Sequence, residues 1–273
     1  MITSSHTVLR ASAAAAALAF AALAVAGDPD SEPSGNQQGR KQPVAKPLVL
    51  GTTLTLPVYG KYVWRGATFV DGPVFQPCLT LSAKGFSATL FGNYTDTENN
   101  NYSTPKRAAG RWTESDLLLD YSASRGGLSY SAGYNYYSQP NTGFKRSEEA
   151  YFAIGLAGPF APRLTAYTGL DEYHGYYVSL GGTRHVATGL RRAASLDVAG
   201  SIGYGDAGHN GWLYGVRRTC PADLTLSASL PIALGRGVAL SPSLSFSSLL
   251  DGRLAAANKR TQVWPGLAVS YSF

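Results

Sequence analysis

The chain has 273 residues, a formal charge of +6, 15% charged residues, 31 Gly, 17 Tyr and a single Met. Tyr favours strands and Gly opens tight turns, so this balance argues against a helical core. Beyond residue 26 no uncharged apolar run is long enough for a membrane helix, and the mean hydropathy of −0.08 suits a barrel whose strands are apolar on one face only.

Residues 1–26 read as an export signal. Arg10 precedes the Ala/Leu/Val/Phe run Ala11–Ala26, which closes on Ala24-Val25-Ala26 before Gly27. The run is shorter than the ~20 residues a bilayer span needs, so cleavage near Ala26 after Sec export is expected rather than anchoring. Residues 27–47, rich in Pro, Gly, Gln and Ser, have almost nothing to bury and are expected to form a disordered periplasmic linker. Residues 48–273 form the third segment.

Alternation of apolar and polar residues predicts an all-β fold there, a closed antiparallel transmembrane β-barrel of about twelve strands. In the first strand Leu54, Leu56, Val58, Tyr62 and Trp64 share one face, and Thr53, Thr55, Tyr59, Lys61 and Arg65 the other. Strands follow at 74–83, 86–95, 114–124, 128–138, 149–156, 163–171, 176–181, 195–204, 223–234, 238–248 and 262–273. Short Gly-bearing turns (83–85, 124–127, 235–237) alternate with longer polar loops (96–113, 139–148, 205–222, 249–261), the asymmetry between periplasmic and outer ends of such barrels. The 182–194 connection, with Arg184, Arg191 and Arg192, breaks that pattern by being long on the inner side. In the last strand Val263, Pro265, Leu267, Val269, Tyr271 and Phe273 face one way and Gly266, Ala268, Ser270 and Ser272 the other. Phe273 ends the strand as outer-membrane barrels commonly end, which implies the barrel-assembly machinery as a partner.

The outward parity carries almost no charge, as a lipid-facing row requires. Tyr62, Trp64, Phe75, Tyr94, Tyr136, Tyr176, Tyr271 and Phe273 are the candidate membrane girdle. The inward parity collects Lys61, Arg65, Asp116, Asp120, Glu149, Asp171 and Asp197, the candidate pore-lining residues. They read either as a structural network, with Lys61 and Arg65 against Asp116 and Asp120, or as a charged selectivity ring; the network is favoured because buried charges are usually paired. From residue 195 onward the inward face is mostly Ser, Gly, Ala and Thr, which leaves room for a narrow aqueous path. The tail residues Arg40, Lys41 and Lys46 could plug it from below. Basic outer loops, with Lys106, Arg107, Arg217, Arg218 and Arg260 among them, would meet solvent or lipopolysaccharide phosphate.

Tyr62-Val-Trp-Arg-Gly66, Pro73-Val-Phe-Gln-Pro77 and Gly85-Phe86 ahead of Leu90-Phe-Gly-Asn93 resemble the opening of the TorF-type porins, proteobacterial outer-membrane β-barrels whose first hairpin carries a Tyr-x-[Phe/Trp]-Arg-Gly segment. The match covers about the first third of the chain and departs at Pro77 and Cys78. It implies a barrel and its location in a Gram-negative outer membrane, and names no substrate.

Motifs for other chemistry are weak. Gly203-Tyr-Gly205-Asp-Ala-Gly208 has the spacing of a dinucleotide fingerprint, but His209-Asn-Gly-Trp is not expected to start the helix that fingerprint needs. Asp171-Glu-Tyr-His174 reads as a polar turn. Cys78 and Cys220 are expected to lie four strand spacings apart, too far for a disulfide. No catalytic constellation, metal site, cofactor or nucleic-acid partner is called for. The expected function is a porin-like channel, not an enzyme, for passive diffusion of small hydrophilic solutes or ions. The alternative is a closed barrel acting through its outer loops as adhesin, envelope-structural protein or lipid-modifying enzyme.

Overall fold

The computed structural model describes residues 50–102 and 108–273. The expected signal and linker, the tail residues Arg40, Lys41 and Lys46, and loop residues Lys106 and Arg107 lie outside the described residues. In chain order the elements are β1 (Gly51–Tyr59), β2 (Tyr62–Trp64), β3 (Ala67–Val70), β4 (Val74–Phe75), β5 (Cys78–Ala83) and β6 (Phe86–Thr95). There follow β7 (Arg111–Arg125), β8 (Leu128–Ser138), β9 (Ser147–Leu156), β10 (Arg163–Gly169), β11 (Tyr176–Ala187) and β12 (Ser195–Gly205). The chain closes with α1 (Ala207–Tyr214), β13 (Cys220–Ser229), β14 (Ile232–Gly235), β15 (Val238–Leu249), α2 (Gly252–Ala257) and β16 (Thr261–Ser272).

Twelve antiparallel walls make a closed barrel, because β1 pairs with β16 as well as with β4 and β5. Two walls are split. Proline has no N–H for the ladder, and Pro77 parts β4 from β5 while Pro231 stands between β13 and β14. Elsewhere the register keeps the two parities apart: Leu54, Leu56 and Val58 of β1 oppose Tyr271, Val269 and Leu267 of β16, all directed outward. Phe152, Ile154, Leu164, Leu180, Leu226 and Leu244 are among the large apolar side chains exposed on that surface. A charge in such a row at the bilayer midplane would cost about 2–4 kcal/mol, and the outward parity holds charge only near strand ends, at Arg125, Glu148 and Arg184.

Two expectations about the strands need correction. β1 stops at Tyr59, and residues 62–70 leave the wall as a separate two-stranded hairpin, β2–β3. Arg65 and Gly66 form its tip with φ of 49° and 81°, the left-handed pair that a two-residue hairpin turn requires. In addition, β11 runs to Ala187 and pairs with β12 down to Ala187–Ser195. The inner connection is therefore only residues 188–194, about half the length the sequence suggested.

The loops also hold more structure than their polarity suggests. A helix does start after Gly205: Asp206 caps α1 by accepting from the His209 N–H at 2.8 Å, and Gly215 ends it in the left-handed region. Asp251 caps α2 in the same way. With the carboxylate of Asp206 already on its N-terminus, α1 offers no cradle to a phosphate. Cys78 on β5 and Cys220 on β13 are both free thiols.

Candidate functional site: the Arg65 layer across the lumen

The hairpin tip delivers Arg65 to the carboxylate of Glu149 on β9. Arg65 Nη1 and Nη2 donate to Glu149 Oε1 and Oε2 at 2.7 and 2.9 Å, a bidentate pair. Glu149 is fully buried and also accepts from the hydroxyls of Tyr137, at 2.9 Å, and Tyr173. The guanidinium lies over the rings of Trp64, Tyr167 and Tyr177 at 4.3, 4.5 and 4.3 Å. Below it, Tyr177 donates to Asp223 on β13 at 2.9 Å. Gly203 makes that contact possible, since a Cβ there would collide with the Tyr177 hydroxyl.

Helix α1 closes the layer from the other side. His209 is fully buried, with Nε2 3.1 Å from Arg65 Nη1 and Nδ1 3.1 Å from Asn210 Oδ1. Arginine can only donate, so Nε2 accepts and the proton sits on Nδ1: the imidazole is neutral. Burial, reinforced by the Arg65 charge, holds its pKa down at about 4. Both ring nitrogens are thus engaged, and neither partner is a nucleophile, so His209 is not arranged as a catalytic base. Tyr173 and Trp212 stack with centroids 4.4 Å apart, and Tyr214 donates to the Arg65 carbonyl. An apolar cluster of Ala67, Tyr177, Tyr214, Cys220, Ala222, Leu249 and Leu254 completes the packing.

This layer separates two cavities. One, of about 790 Å³, runs toward the short-turn end and is lined by Arg65, Asp116, Asp120, Arg163, Asp223 and hydroxyl side chains of the wall. The other, of about 480 Å³, lies on the long-loop side against Ala67, Thr68 and Phe69 of β3. β2 and the tip line the first, and β3 lines the second. A third cavity, of about 300 Å³, continues the small-residue wall past Ser179, Ser201 and Ser227.

The seven charged residues expected to line a pore do not form one ring. Arg65 pairs with Glu149, not with Asp116 or Asp120. Lys61 pairs with Asp71 at the hairpin base, where Lys259 also donates to Asp71 at 2.8 Å. Asp120 accepts from Tyr151, and Asp116 from the Ser138 N–H at 3.3 Å. Asp171 accepts from the Glu148 N–H at 2.9 Å in the 170–175 turn, and Asp197 meets His185 at 2.7 Å near the short-turn end. The charges are spread over the height of the barrel.

Of the expected girdle, Tyr62 and Trp64 are corrected: both belong to the inward hairpin. Tyr62 stacks on Phe69 at 5.2 Å, and Trp64 meets Tyr137 and Trp212 edge-on at 5.8 and 6.1 Å. Phe75 and Tyr94 instead gather around Trp112, at 6.5 and 5.7 Å, on the outward parity. Tyr176 is 62% exposed beside the long loops, while Tyr271 and Phe273 pack together at 4.4 Å at the short-turn end. Tyr136 stands opposite Leu117 on the outward parity. Trp112 is a residue that sequence reasoning passed over, and Tyr173 and His209, read there as loop residues, are buried in the lumen. Asp206, an N-cap residue three positions before His209, was the available signal that a helix would carry the imidazole.

No protein-family model and no curated protein matches the chain. Solved structures similar to it include the KdgM porin in complex with disordered oligogalacturonate, 11% identical over 82% of this chain and 99% of that one, with a TM-score of 0.49. LpxR from Salmonella typhimurium is 10% identical over 81% of this chain and 100% of its own, with a TM-score of 0.44. The Salmonella typhi OmpF complex with daunomycin is 9% identical over 83% and 97%, with a TM-score of 0.39. The likeness is one of barrel architecture.

Proposed function

We propose that the protein spans the outer membrane of a Gram-negative bacterium as a narrow channel for small hydrophilic solutes or ions, constricted by the β2–β3 hairpin. The exposed apolar rows of the outer surface support the membrane setting, because they would otherwise face water. The observation that carries the channel is the pair of cavities, each with polar and charged side chains in its lining, that meet the two faces of the hairpin. The partition between them is the hairpin with the α1 side chains packed on it, and no wall strand. Asp120 and Asp223 against Arg163 give the larger cavity a slightly acidic balance once Arg65 is neutralised by Glu149, so cations are the favoured ions. The TorF-type resemblance of the first third of the chain agrees with this reading, and the lumenal charges would set the selectivity of the path.

The packed cluster around Tyr214 and Leu254 favours a second reading, a barrel permanently closed at the loop end that acts through its loops. Single-channel current of the refolded barrel in a planar bilayer separates the two. Discrete steps with a cation-selective reversal potential are expected. Silence both from the intact barrel and from one lacking residues 62–70 would exclude the channel and leave the second reading.

A further inference from the structure

The contacts of Arg65 divide unevenly between hairpin and wall. Trp64 travels with the tip. Glu149, Tyr167 and Tyr177 stand on β9–β11, His209 of α1 accepts from Nη1, and Tyr137 of β8 and Tyr173 of the turn between β10 and β11 donate to the Glu149 carboxylate. If the tip withdraws, the wall keeps a fully buried carboxylate with two tyrosine hydroxyls on it and two ring faces beside it. Such a carboxylate needs a cation, and the flat gap between rings favours a planar one whose parallel N–H groups match both oxygens. The site is built for a guanidinium and filled by one from its own chain.

The tip is joined to the wall by side-chain contacts and not by strand pairing, so it can leave without breaking the barrel ladder. β2 and β3 form a two-stranded sheet with no ladder to a wall strand, tied to the loop after β6 at the base of β3 by Val70–Asn100 and Phe69–Asn101, and such a hairpin is marginal alone. Arg65 occupies a left-handed turn position that long side chains avoid, so the backbone gives no reason for arginine there. The larger cavity already reaches Tyr137, Tyr167 and Tyr177, which gives a solute a route to the socket.

We infer that the socket around Glu149 is a binding site for solutes bearing a guanidinium or similarly flat organic cation, with Arg65 as the built-in occupant that such a solute displaces. Binding stands on the geometry of the socket; its use in opening a path through the barrel rests on the channel reading.

The test uses agmatine, with putrescine as the ammonium control, titrated calorimetrically into the refolded barrel. Arg65→Gly suits the left-handed turn and empties the socket. It should bind agmatine about tenfold or more tighter than wild type, in which the occupant competes. It should also prefer agmatine to putrescine, and Arg65→Gly combined with Glu149→Gln should abolish binding. A folded, heat-modifiable Arg65→Gly barrel that binds neither amine, or both equally, overturns the inference. If that variant does not fold, wild type carries the test: agmatine should change the emission of Trp64 as its cation leaves, with Trp64→Phe removing the change, and an unchanged spectrum overturns the inference. Binding by Arg65→Gly from a barrel silent in bilayers would overturn only the channel reading.

Discussion

The two ends of the lumen are built on opposite rules. At the long-loop end, the hairpin and both helices turn inward, the charges Arg65 and Glu149 are almost wholly buried, and apolar side chains pack as in a soluble core. Toward the short-turn end β12 and β13 present Ala199, Ser201 and Ser227, and a cavity remains beside them. Closing the barrel fixes the strand ladders at both ends alike, so side-chain size and inward loops alone decide where the lumen is blocked. The comparison predicts that the loop end controls passage and much of the side-chain-dependent stability, whereas the thin end controls only the bore.

Removing the hairpin should have the largest effect. Replacing residues 62–70 by a short Gly-Ser linker leaves every wall pairing intact, because β2 and β3 pair with each other and, at Val70, with loop residue Asn100, but with no wall strand. Single-channel conductance should rise several-fold while the barrel remains heat-modifiable on a gel. An unchanged conductance would mean that something other than the hairpin closes the loop end.

Glu149→Ala attacks the same layer without shortening the chain. It strands the Arg65 charge in a site where its side chain is only 7% exposed, a defect of about 3–5 kcal/mol if the tip stays in place. The urea midpoint should fall accordingly, or the tip should leave and conductance rise. A variant neutral in both would show that the pair contributes nothing to closure.

Acid should weaken the layer through His209. Its pKa is about 4 in the folded chain against an ordinary 6.5, so the unfolded chain binds the extra proton first. Stability contributed by the neutral imidazole is therefore complete above pH 6.5, declines as pH falls, and is lost below about 4. The difference amounts to about 3 kcal/mol. Arg65 faces the ring from the hairpin, Glu149 from β9 and Asp206 from its own loop; the acids ease the proton's arrival but do not outweigh burial and Arg65. Urea unfolding between about pH 7 and 4.5 should show this slope, and His209→Gln should flatten it.

The fold was legible because lipid demands the same pattern of every wall, and each strand repeats it. The hairpin was not, and Tyr62 and Trp64 explain why. They continue the apolar parity of Leu54, Leu56 and Val58, and an aromatic row reads the same whether it meets lipid or an aromatic cluster inside the lumen. Arg65-Gly66 between two short apolar stretches was the signal of a turn. Arg184 and His185 misled in the opposite direction: their charge resembles a loop, yet they lie near the end of β11, where a strand leaves the apolar layer. For the site, Arg65 and Glu149 could each be placed inside from parity, but their pairing depends on the hairpin folding back, which no alternation records.

The smallest stability change is expected at the thin end, and two neighbours on β13 sharpen it. Ser227 faces the cavity between Ala199 and Ser245, whereas Leu226 is 45% exposed on the outer surface between Gly200 and Phe246. Ser227→Arg puts a long cation into open, hydrated space, so its cost should stay within about 0.5 kcal/mol. The same arginine at Leu226 would face lipid and cost about 2–4 kcal/mol near the midplane. Urea midpoints of the two variants measure that contrast. In a barrel also lacking the hairpin, Ser227→Arg should lower conductance and shift the reversal potential toward anions. Equal destabilisation at the two positions would mean that the thin wall is packed, and that the bore is set at the loop end alone.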